Sequence, residues 1–477
     1  MHDSASTARS FTMEDQRNFA AFCGDGNPIH MEALSARRTQ AGAPVVHGIH
    51  VLLWTLETLL GSGTLAAAPR SLRVRFRAPV LVGSDVRLET HKKNDGTVSA
   101  KVRMGEASCC SVEAADRTSL TAPMRVPLSD ASVPAATIPQ SPLERVFDAA
   151  SLPSGRFRLF EPRAEILWPL TEAAFGRPSL QAMGFISTLV GMVYPGLYSL
   201  LGSVDIDFDG PDTAWMDFRV VETDDRFQRT VIEIAGAGVK ARVEAFFRAP
   251  PIAQPHISAL APHMQPREFG GSVALVVGGS RGLGALTAKI LAAGGARVLL
   301  TYAVGAEEAA EVQKEIREAG GACEILKFDA LQDAFAVPAG HPAPTHAYYF
   351  ATPKIFLSRR TKAFSREVLD YFTAFYVDGM EKLVRTLAEA HPDPIRVFNP
   401  SSVAITERTP NMAEYVMAKA AAEILGEYLV RSYGNVSVVS HRLPRLLTDQ
   451  TVTVSPVQTA PAEDVMLPLI RQFQSTA

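Results

Sequence analysis

The chain changes its hydrophobic rhythm twice. From Val45 to Leu60 nearly every position is apolar, as in a buried helix, and the pieces that follow, SLRVRFRAPV, DVRLETHKKN and TVSAKVRM, alternate apolar with polar residues or cluster branched ones as strands do. A second apolar helix-like run spans Met183 to Leu201, and SVDIDF, AWMDFRVVET, RTVIEIAG and VKARVEAFFR follow it, so the two stretches read as copies of one helix-then-sheet unit. Beyond residue 268 the rhythm becomes strand–helix alternation. SVALVV, ARVLLTY, CEILKFDA, THAYYFA, IRVFNPSS and VSVVSHRL are strand-like, and helical runs such as LTAKILAAGG, Glu307 to Ala319 and EYVMAKAAAEILGEYLVRSYG stand between them. That order predicts a parallel, doubly wound α/β sheet. Pro-rich joints at residues 122–142 and 249–266 break any regular element, which divides the chain into segments 1–125, 143–250 and 268–477.

Composition narrows the class. The 477 residues are 47% hydrophobic and 20% charged with a net charge of -3, which describes several globular cores in series and gives no basic surface for nucleic acid. Cys23, Cys109, Cys110 and Cys323 form neither a disulfide framework nor a CxxC pattern, so no metal site is expected. The start MHDSASTARSFTMED lacks the basic and apolar regions of a secretory signal, and a cytoplasmic protein is expected. Ser179 to Val204 carries no charge and is long enough to span a bilayer, yet Pro195, Gly196 and its many small residues favour a buried helix, with no membrane partner.

Candidate chemistry sits in two places. In VVGGSRGLGALTAKI, Gly278, Gly282 and Gly284 fall between a strand and a helix, where missing side chains allow a tight turn and let phosphates approach a helix N-terminus. An ordinary glycine turn is the alternative, but the strand before and the Ala/Leu-rich helix after favour a dinucleotide site. The second strand ends Leu299-Leu300-Thr301-Tyr302-Ala303 without an acid for a ribose 2′-hydroxyl, and Arg281 can meet a 2′-phosphate, so NADPH is expected. Tyr415 and Lys419, four apart, share one helix face, and the strand before that helix ends in Ser401 and Ser402. A carbonyl reduction needs a phenol to donate a proton, an ammonium to lower that phenol's pKa and a hydroxyl to orient the carbonyl. Bringing a tyrosine from about 10 to about 7 takes roughly 4 kcal/mol, within reach of a close lysine in a dry site.

This third segment resembles the short-chain dehydrogenase/reductases, in particular β-ketoacyl-thioester reductases. The resemblance implies a Rossmann-like sheet, a catalytic triad of Ser402, Tyr415 and Lys419, and cofactor contacts from Gly278, Ser280, Arg281, Gly282, Leu283, Gly284, Asp329 and Ala351. It departs from the family at Val277 for the usual Thr, at Tyr349-Phe350-Ala351-Thr352 for NNAG, and at Pro444-Arg445 for the PG turn, while Asp378 is expected in the place of the family's helix asparagine.

The N-terminal segment FAAFCGDGNPIHMEALSARRTQAGAPVVHGIH places Asp25 and His30 in one short loop, stiffened by Asn27-Pro28. A carboxylate beside an imidazole can move protons at adjacent carbons, and the N–H groups at the helix opened by His47-Gly48 are placed to receive charge on a carbonyl. GDGNPIH with VVHG resembles the MaoC-like (R)-specific enoyl-thioester hydratases. That resemblance covers residues 10–120 and implies a hot-dog fold, catalytic Asp25 and His30, and an oxyanion donor at Gly48. Residues 143–250 lack GDGNPIH and are expected to be a non-catalytic half completing a double hot-dog and shaping the acyl tunnel; Glu161 and Asp205 have no evident partner group. Together these imply an α+β double hot-dog followed by an α/β Rossmann-like domain, reducing a 3-oxoacyl thioester with NADPH and dehydrating the product. The substrate would ride on coenzyme A or an acyl carrier protein, and the resembled families imply a homodimer or higher. The rival readings are a single active domain and a non-enzymatic acyl-binding subunit.

Overall fold

The computed structural model describes residues 7–39, 41–120, 122–126, 133–159, 167–332, 334–355, 364–452 and 459–475. They fall into two compact units that divide at Pro250/Pro251.

The first unit is a ten-stranded antiparallel sheet built twice over. Strands β1 (Thr7–Ser10), β2 (Ser71–Phe76), β3 (Asp85–Lys92), β4 (Val98–Met104) and β5 (Ala107–Ala115) come from the first half, and β6 (Ser154–Arg158), β7 (Ser199–Asp207), β8 (Trp215–Asp224), β9 (Arg229–Gly236) and β10 (Val239–Phe247) from the second. Their order is β1-β3-β4-β5-β2-β7-β10-β9-β8-β6. The second half therefore repeats the first in mirrored sequence, and the halves meet where β2 pairs antiparallel with β7, Val74 opposite Val204. Each half contributes one apolar helix. Gly48–Gly61 buries Ile49, Leu52, Leu53 and Leu56 in the same core as Leu180, Met183, Phe185 and Ile186 of Arg177–Thr188.

The second apolar run does not stay helical to Leu201. It ends in a wide turn at Leu189–Val193, and Tyr194 to Gly196 carry the chain into β7. Its uncharged residues thus fill a protein core, and among the described residues no helix is long and apolar enough to cross a membrane. Alternation in sequence missed β1, β5 and β6. β5, reading ASCCSVEAA, hides its buried face in Cys109, Cys110, Val112 and Ala114, where small residues blur the period.

The second unit carries a six-stranded parallel sheet in the order β13-β12-β11-β14-β15-β16. The strands are β11 (Val273–Val277), β12 (Arg297–Tyr302), β13 (Ala322–Lys327), β14 (His346–Tyr349), β15 (Ile395–Ser402) and β16 (Val436–Leu443). The order reverses between β11 and β14, which opens a crevice at their carboxyl ends. The joint at 249–266 is not wholly irregular as expected, because Ile257–Leu260 forms a helical turn whose Ile257 and Leu260 are buried in this unit's core. Apolar residues spaced three apart outweigh the prolines around them.

Candidate active sites

In the first unit the helix Met13–Cys23 stops at Gly24, whose φ of 87° forms a left-handed cap, and the chain turns directly into Asp25. Asn27 caps the single turn Pro28–Met31, its side chain accepting from Ile29 N at 3.2 Å, and so swings His30 back toward Asp25. The His30 Nδ1 lies 2.6 Å from the Val45 carbonyl oxygen, which can only accept, so Nδ1 carries the proton and Nε2 is the basic nitrogen.

Asp25 is 1% exposed and holds a donor on each oxygen: Ser187 Oγ on Oδ2 at 2.7 Å and Asn27 N on Oδ1 at 3.2 Å. Ser187 and the close-packed Gly191, where a Cβ would stand 2.4 Å from Asp25 Oδ1, belong to the second half. Asn27 Nδ2 donates to carbonyls of the same half, Gly191 at 2.8 Å and Gly196 and Leu197 at 3.3 Å. Burial pushes the Asp25 carboxyl up, against the pull of His30, Ser187 and Asn27, and pushes the His30 imidazole down, against Asp25. His47 precedes the Gly48–Gly61 helix and is fully buried; its ring stacks on His30 with centroids 3.8 Å apart. Burial lowers the His47 pKa as well.

Gly48 is the first residue of its helix, where N–H groups have no intrahelical acceptor and the dipole is positive. A Cβ there would stand 3.0 Å from the Phe76 ring. Ligand atoms of Asp25, His30 and His47 lie within 4.8 Å of one another. His30 Nδ1 is committed to Val45 and both His47 nitrogens face oxygen acceptors, one of them the Asp25 backbone carbonyl, so the trio gathers as an acid–base cluster. Asp205 is not without a partner: Arg75 forks onto it at 2.6 and 3.1 Å, which makes it part of the seam between the halves. Glu161 lies outside the described residues.

In the second unit β11 runs into Gly278 with φ 76°, and its missing side chain lets the loop pass 2.9 Å, measured from a virtual Cβ, from the Phe350 backbone at the end of β14. Gly284 packs against Gly278 so closely that a Cβ would sit 2.3 Å from the Gly278 carbonyl oxygen. Gly282 has φ 56° and opens the helix Gly282–Ala293, whose cap is Arg281. Thr301, where the sequence offers no acid, ties the loop down, receiving Gly279 N on its carbonyl at 2.9 Å and Gly278 N on its hydroxyl at 3.3 Å. Ser280 is buried, Leu283 packs on the core beneath the helix, and Ala351 follows β14 beside Gly278. Asp329 lies just beyond β13 and accepts from Leu331 N at 2.9 Å.

Ser402, Tyr415 and Lys419 lie at the carboxyl end of β15 and on the helix Ala413–Ser432. The alternation of a strand sends the two serines apart: Ser402 lies on the Tyr415 side, where its hydroxyl pulls the phenol pKa down, whereas Ser401 donates to Glu423 at 2.5 Å. Among the described residues Lys419 makes no hydrogen bond to the Tyr415 phenol. Its Nζ donates to the Pro400 carbonyl at 2.8 Å and lies 3.8 Å above the Tyr376 ring. Burial accordingly raises Tyr415 and brings Lys419 down to about 7, the reverse of the phenol-lowering expected from spacing alone.

Residues 3–113 match the family model of the MaoC like domain, and residues 272–339 that of the short chain dehydrogenase. Residues 3–113 are thus similar to MaoC-like domains, and residues 272–339 to short chain dehydrogenases. A protein named "Probable tetrahydroxynaphthalene reductase" of Zymoseptoria tritici is 41% identical over 71 residues, which make up 15% of this chain and 27% of that one. This match spans about a quarter of the relative's length. Among solved structures, a short-chain dehydrogenase/reductase from Serratia marcescens is 23% identical over 44% of this chain and 95% of its own, with a TM-score of 0.38. The landomycin C-6 ketoreductase LanV, solved with NADP and rabelomycin, is 26% identical over 36% of this chain and 76% of its own, with a TM-score of 0.32.

In the second unit, Asp378 follows the helix Arg366–Thr373. It ends exposed after a wide turn, Ala374–Asp378, and Tyr376, two residues earlier, faces Lys419 and meets Thr352 Oγ1 at 2.7 Å through its hydroxyl. Sequence reasoning gave His47 no role of its own and passed over Gln16 and Ser187 of the first unit. For His47 the signal was present, an imidazole at a helix N-cap in the same motif. For Ser187, 162 residues from Asp25, there was none.

Proposed function

We propose that this chain reduces a 3-oxoacyl thioester with NADPH in its dehydrogenase domain and dehydrates the (R)-3-hydroxyacyl product to a trans-2-enoyl thioester in its MaoC-like domain, in fatty-acid or polyketide-like synthesis. The ten-stranded sheet with one apolar helix per half supports a double hot-dog in which the first half holds a carboxylate–imidazole pair and the second, without a histidine, does not. The observation that carries the reading is a buried carboxylate and a basic imidazole Nε2 held together beside a glycine-opened helix N-terminus.

In the dehydratase step a base in the Asp25–His30 pair takes the proton from C2, the C3–oxygen bond breaks, and the proton leaves with the hydroxyl as water. The charge that gathers on the thioester oxygen meets the N–H groups at Gly48. In the reductase step, the loop at Gly278, Gly282 and Gly284 fits a dinucleotide, because Cβ atoms at Gly278 or Gly284 would collide with the backbone around them and open the tight turn that brings a helix N-terminus to the phosphates. Ser280, Arg281, Leu283, Asp329 and Ala351 would complete its contacts, with Arg281 favouring a 2′-phosphate. Bound there, a reduced nicotinamide supplies the hydride. Tyr415, kept protonated by burial, donates its hydroxyl proton to the carbonyl oxygen, and Ser402 orients both. The thioester rides on coenzyme A or a carrier protein, the cell compartment is the cytoplasm, and the working assembly is a homodimer or higher.

Mass spectrometry of a 3-oxoacyl thioester incubated with NADPH and the protein reads both steps at once. Wild type yields enoyl thioester, His30→Ala accumulates the 3-hydroxyacyl thioester, and Tyr415→Phe leaves the 3-oxo compound untouched. Unchanged NADPH oxidation by Tyr415→Phe would refute the assigned proton donor. Thioester binding without turnover would favour an acyl-binding subunit.

A further inference from the structure

We propose that His47 is held as an imidazolium whose two ring N–H groups, donating to Gln16 Oε1 and to the Asp25 backbone carbonyl, position the Asp25–His30 pair. This rests on the dehydratase reading of the same cluster. The orientation of Gln16 is fixed independently of the ring: its Oε1 accepts from the His47 backbone N at 3.2 Å and its Nε2 donates to the Thr12 carbonyl at 3.4 Å. Reversing the amide would set N–H against N–H. Gln16 Oε1 therefore faces His47 Nδ1, 3.0 Å away, as an acceptor. On the other side of the ring, Nε2 lies 3.1 Å from the Asp25 carbonyl oxygen, which also only accepts.

A neutral imidazole has one donor and one acceptor. Either tautomer thus leaves a ring lone pair against an oxygen lone pair in a site that His47, at 0% exposure, closes to water. Only the doubly protonated ring satisfies both neighbours. Burial opposes the charge, and a counter-ion stands ready to offset it: Asp25 Oδ2 lies 4.0 Å from Nε2, and both of that carboxylate's oxygens already face donors.

Around His47 the neighbouring imidazoles are neutral, with Arg248 acting on His30 and Arg9 and Asp15 on His50. The titratable groups that face His47 are Asp25 and His30 from the loop and His50 from its own helix. His50 is brought down to about 3 by burial and is neutral, and His30, stacked on the cation, is held neutral with Nε2 basic. The Met13–Cys23 helix presents Gln16 and the Phe19 ring, whose centroid is 4.7 Å from that of His47, with Cys23 bonded back toward Asp25. From the Arg177–Thr188 helix, Ser187 donates to the Asp25 carboxylate beside the ring. His47 so placed keeps Asp25 ionised, fixes the plane of the His30 ring, and adds positive charge at the helix N-terminus where the thioester oxygen is expected.

The test combines spectroscopy with kinetics on the full chain. Nitrogen-15 imidazole spectra of the histidine-labelled protein, with the His47 signals identified by their loss in His47→Gln, are expected to show both ring nitrogens protonated between about pH 6 and about pH 8, where an ordinary histidine loses its charge. A His47 with one bare nitrogen in that range overturns the proposal whether or not the enzyme hydrates an enoyl thioester. Imidazolium signals with no hydration of an enoyl thioester would leave this inference standing and sink the dehydratase reading instead. In the hydration pH profile, Gln16→Met removes one acceptor, destabilises the charged ring and moves the alkaline limb to lower pH, whereas Gln16→Glu moves it higher. Identical profiles for both variants and wild type would also overturn it.

Discussion

Replacing Ser187 by alanine removes the only side-chain hydrogen-bond donor to the Asp25 carboxylate among the described residues, the 2.7 Å bond to Oδ2, and leaves Asn27 N on the other oxygen. A hydrogen bond to a charged group is worth about 1.5–3 kcal/mol, and its loss from a buried oxygen that water does not reach falls wholly on the ionised form. At 1.36 kcal/mol per pKa unit the Asp25 carboxyl rises by about 1–2 units above a value that burial has already raised. If the dehydratase needs Asp25 ionised, the acid limb of kcat/KM for hydration of an enoyl thioester moves up by the same about 1–2 units. Below that limb the variant is then about 10–100-fold slower than wild type at the same pH. The plateau above it is little changed. Ser187→Thr, which keeps the hydroxyl, is expected to restore the wild-type limb. A Ser187→Ala profile that superimposes on wild type would show that Asp25 is not the titrating group, whatever the total activity.

Other outcomes follow from the same geometry. Lys419 carries its proton only below about 7 in the uncomplexed protein, whereas Tyr415 stays protonated, so an alkaline fall in reductase kcat/KM near that pH should be present in wild type and absent from the residual activity of Lys419→Met. Gly284→Ala sets a Cβ 2.3 Å from the Gly278 carbonyl and is expected to weaken NADPH binding by about tenfold or more in a fluorescence titration; an unchanged Kd would refute the glycine-loop assignment. Arg156 forks onto Asp217 at 2.6 and 3.0 Å with both side chains buried. Asp217→Asn takes the counter-charge from the buried guanidinium and should destabilise the first unit by about 3–5 kcal/mol in urea, followed by the Trp215 fluorescence over which Arg156 lies. A loss under about 1 kcal/mol would contradict it.

What was legible in the sequence is what sits within a few turns of chain. The strand–glycine–helix passage at Val273–Ala293 and the four-residue step from Tyr415 to Lys419 are local, and local geometry fixes which side chains share a face. The loop carrying Asp25 and His30 was legible for the same reason. Orientation was not. Lys419 points to Pro400 and Tyr376 because of how two distant elements pack, and no spacing along the chain encodes that. Ser187 escaped because it looks like any hydroxyl in an apolar helix until the fold brings it to Asp25. β5 escaped because small residues bury a face without announcing a period.

Asn27 contributes no proton to any chemistry, yet its amide nitrogen answers to three carbonyls at positions 191, 196 and 197. The half of the sheet that lacks an acid–base pair therefore sets the backbone path of the half that has one. Severed from residues 143–250, the GDGNPIH loop would keep its letters and lose its shape. An insertion or deletion near the Leu189–Val193 turn should be felt first as a misaligned carboxylate more than a hundred residues upstream, before any strand comes apart.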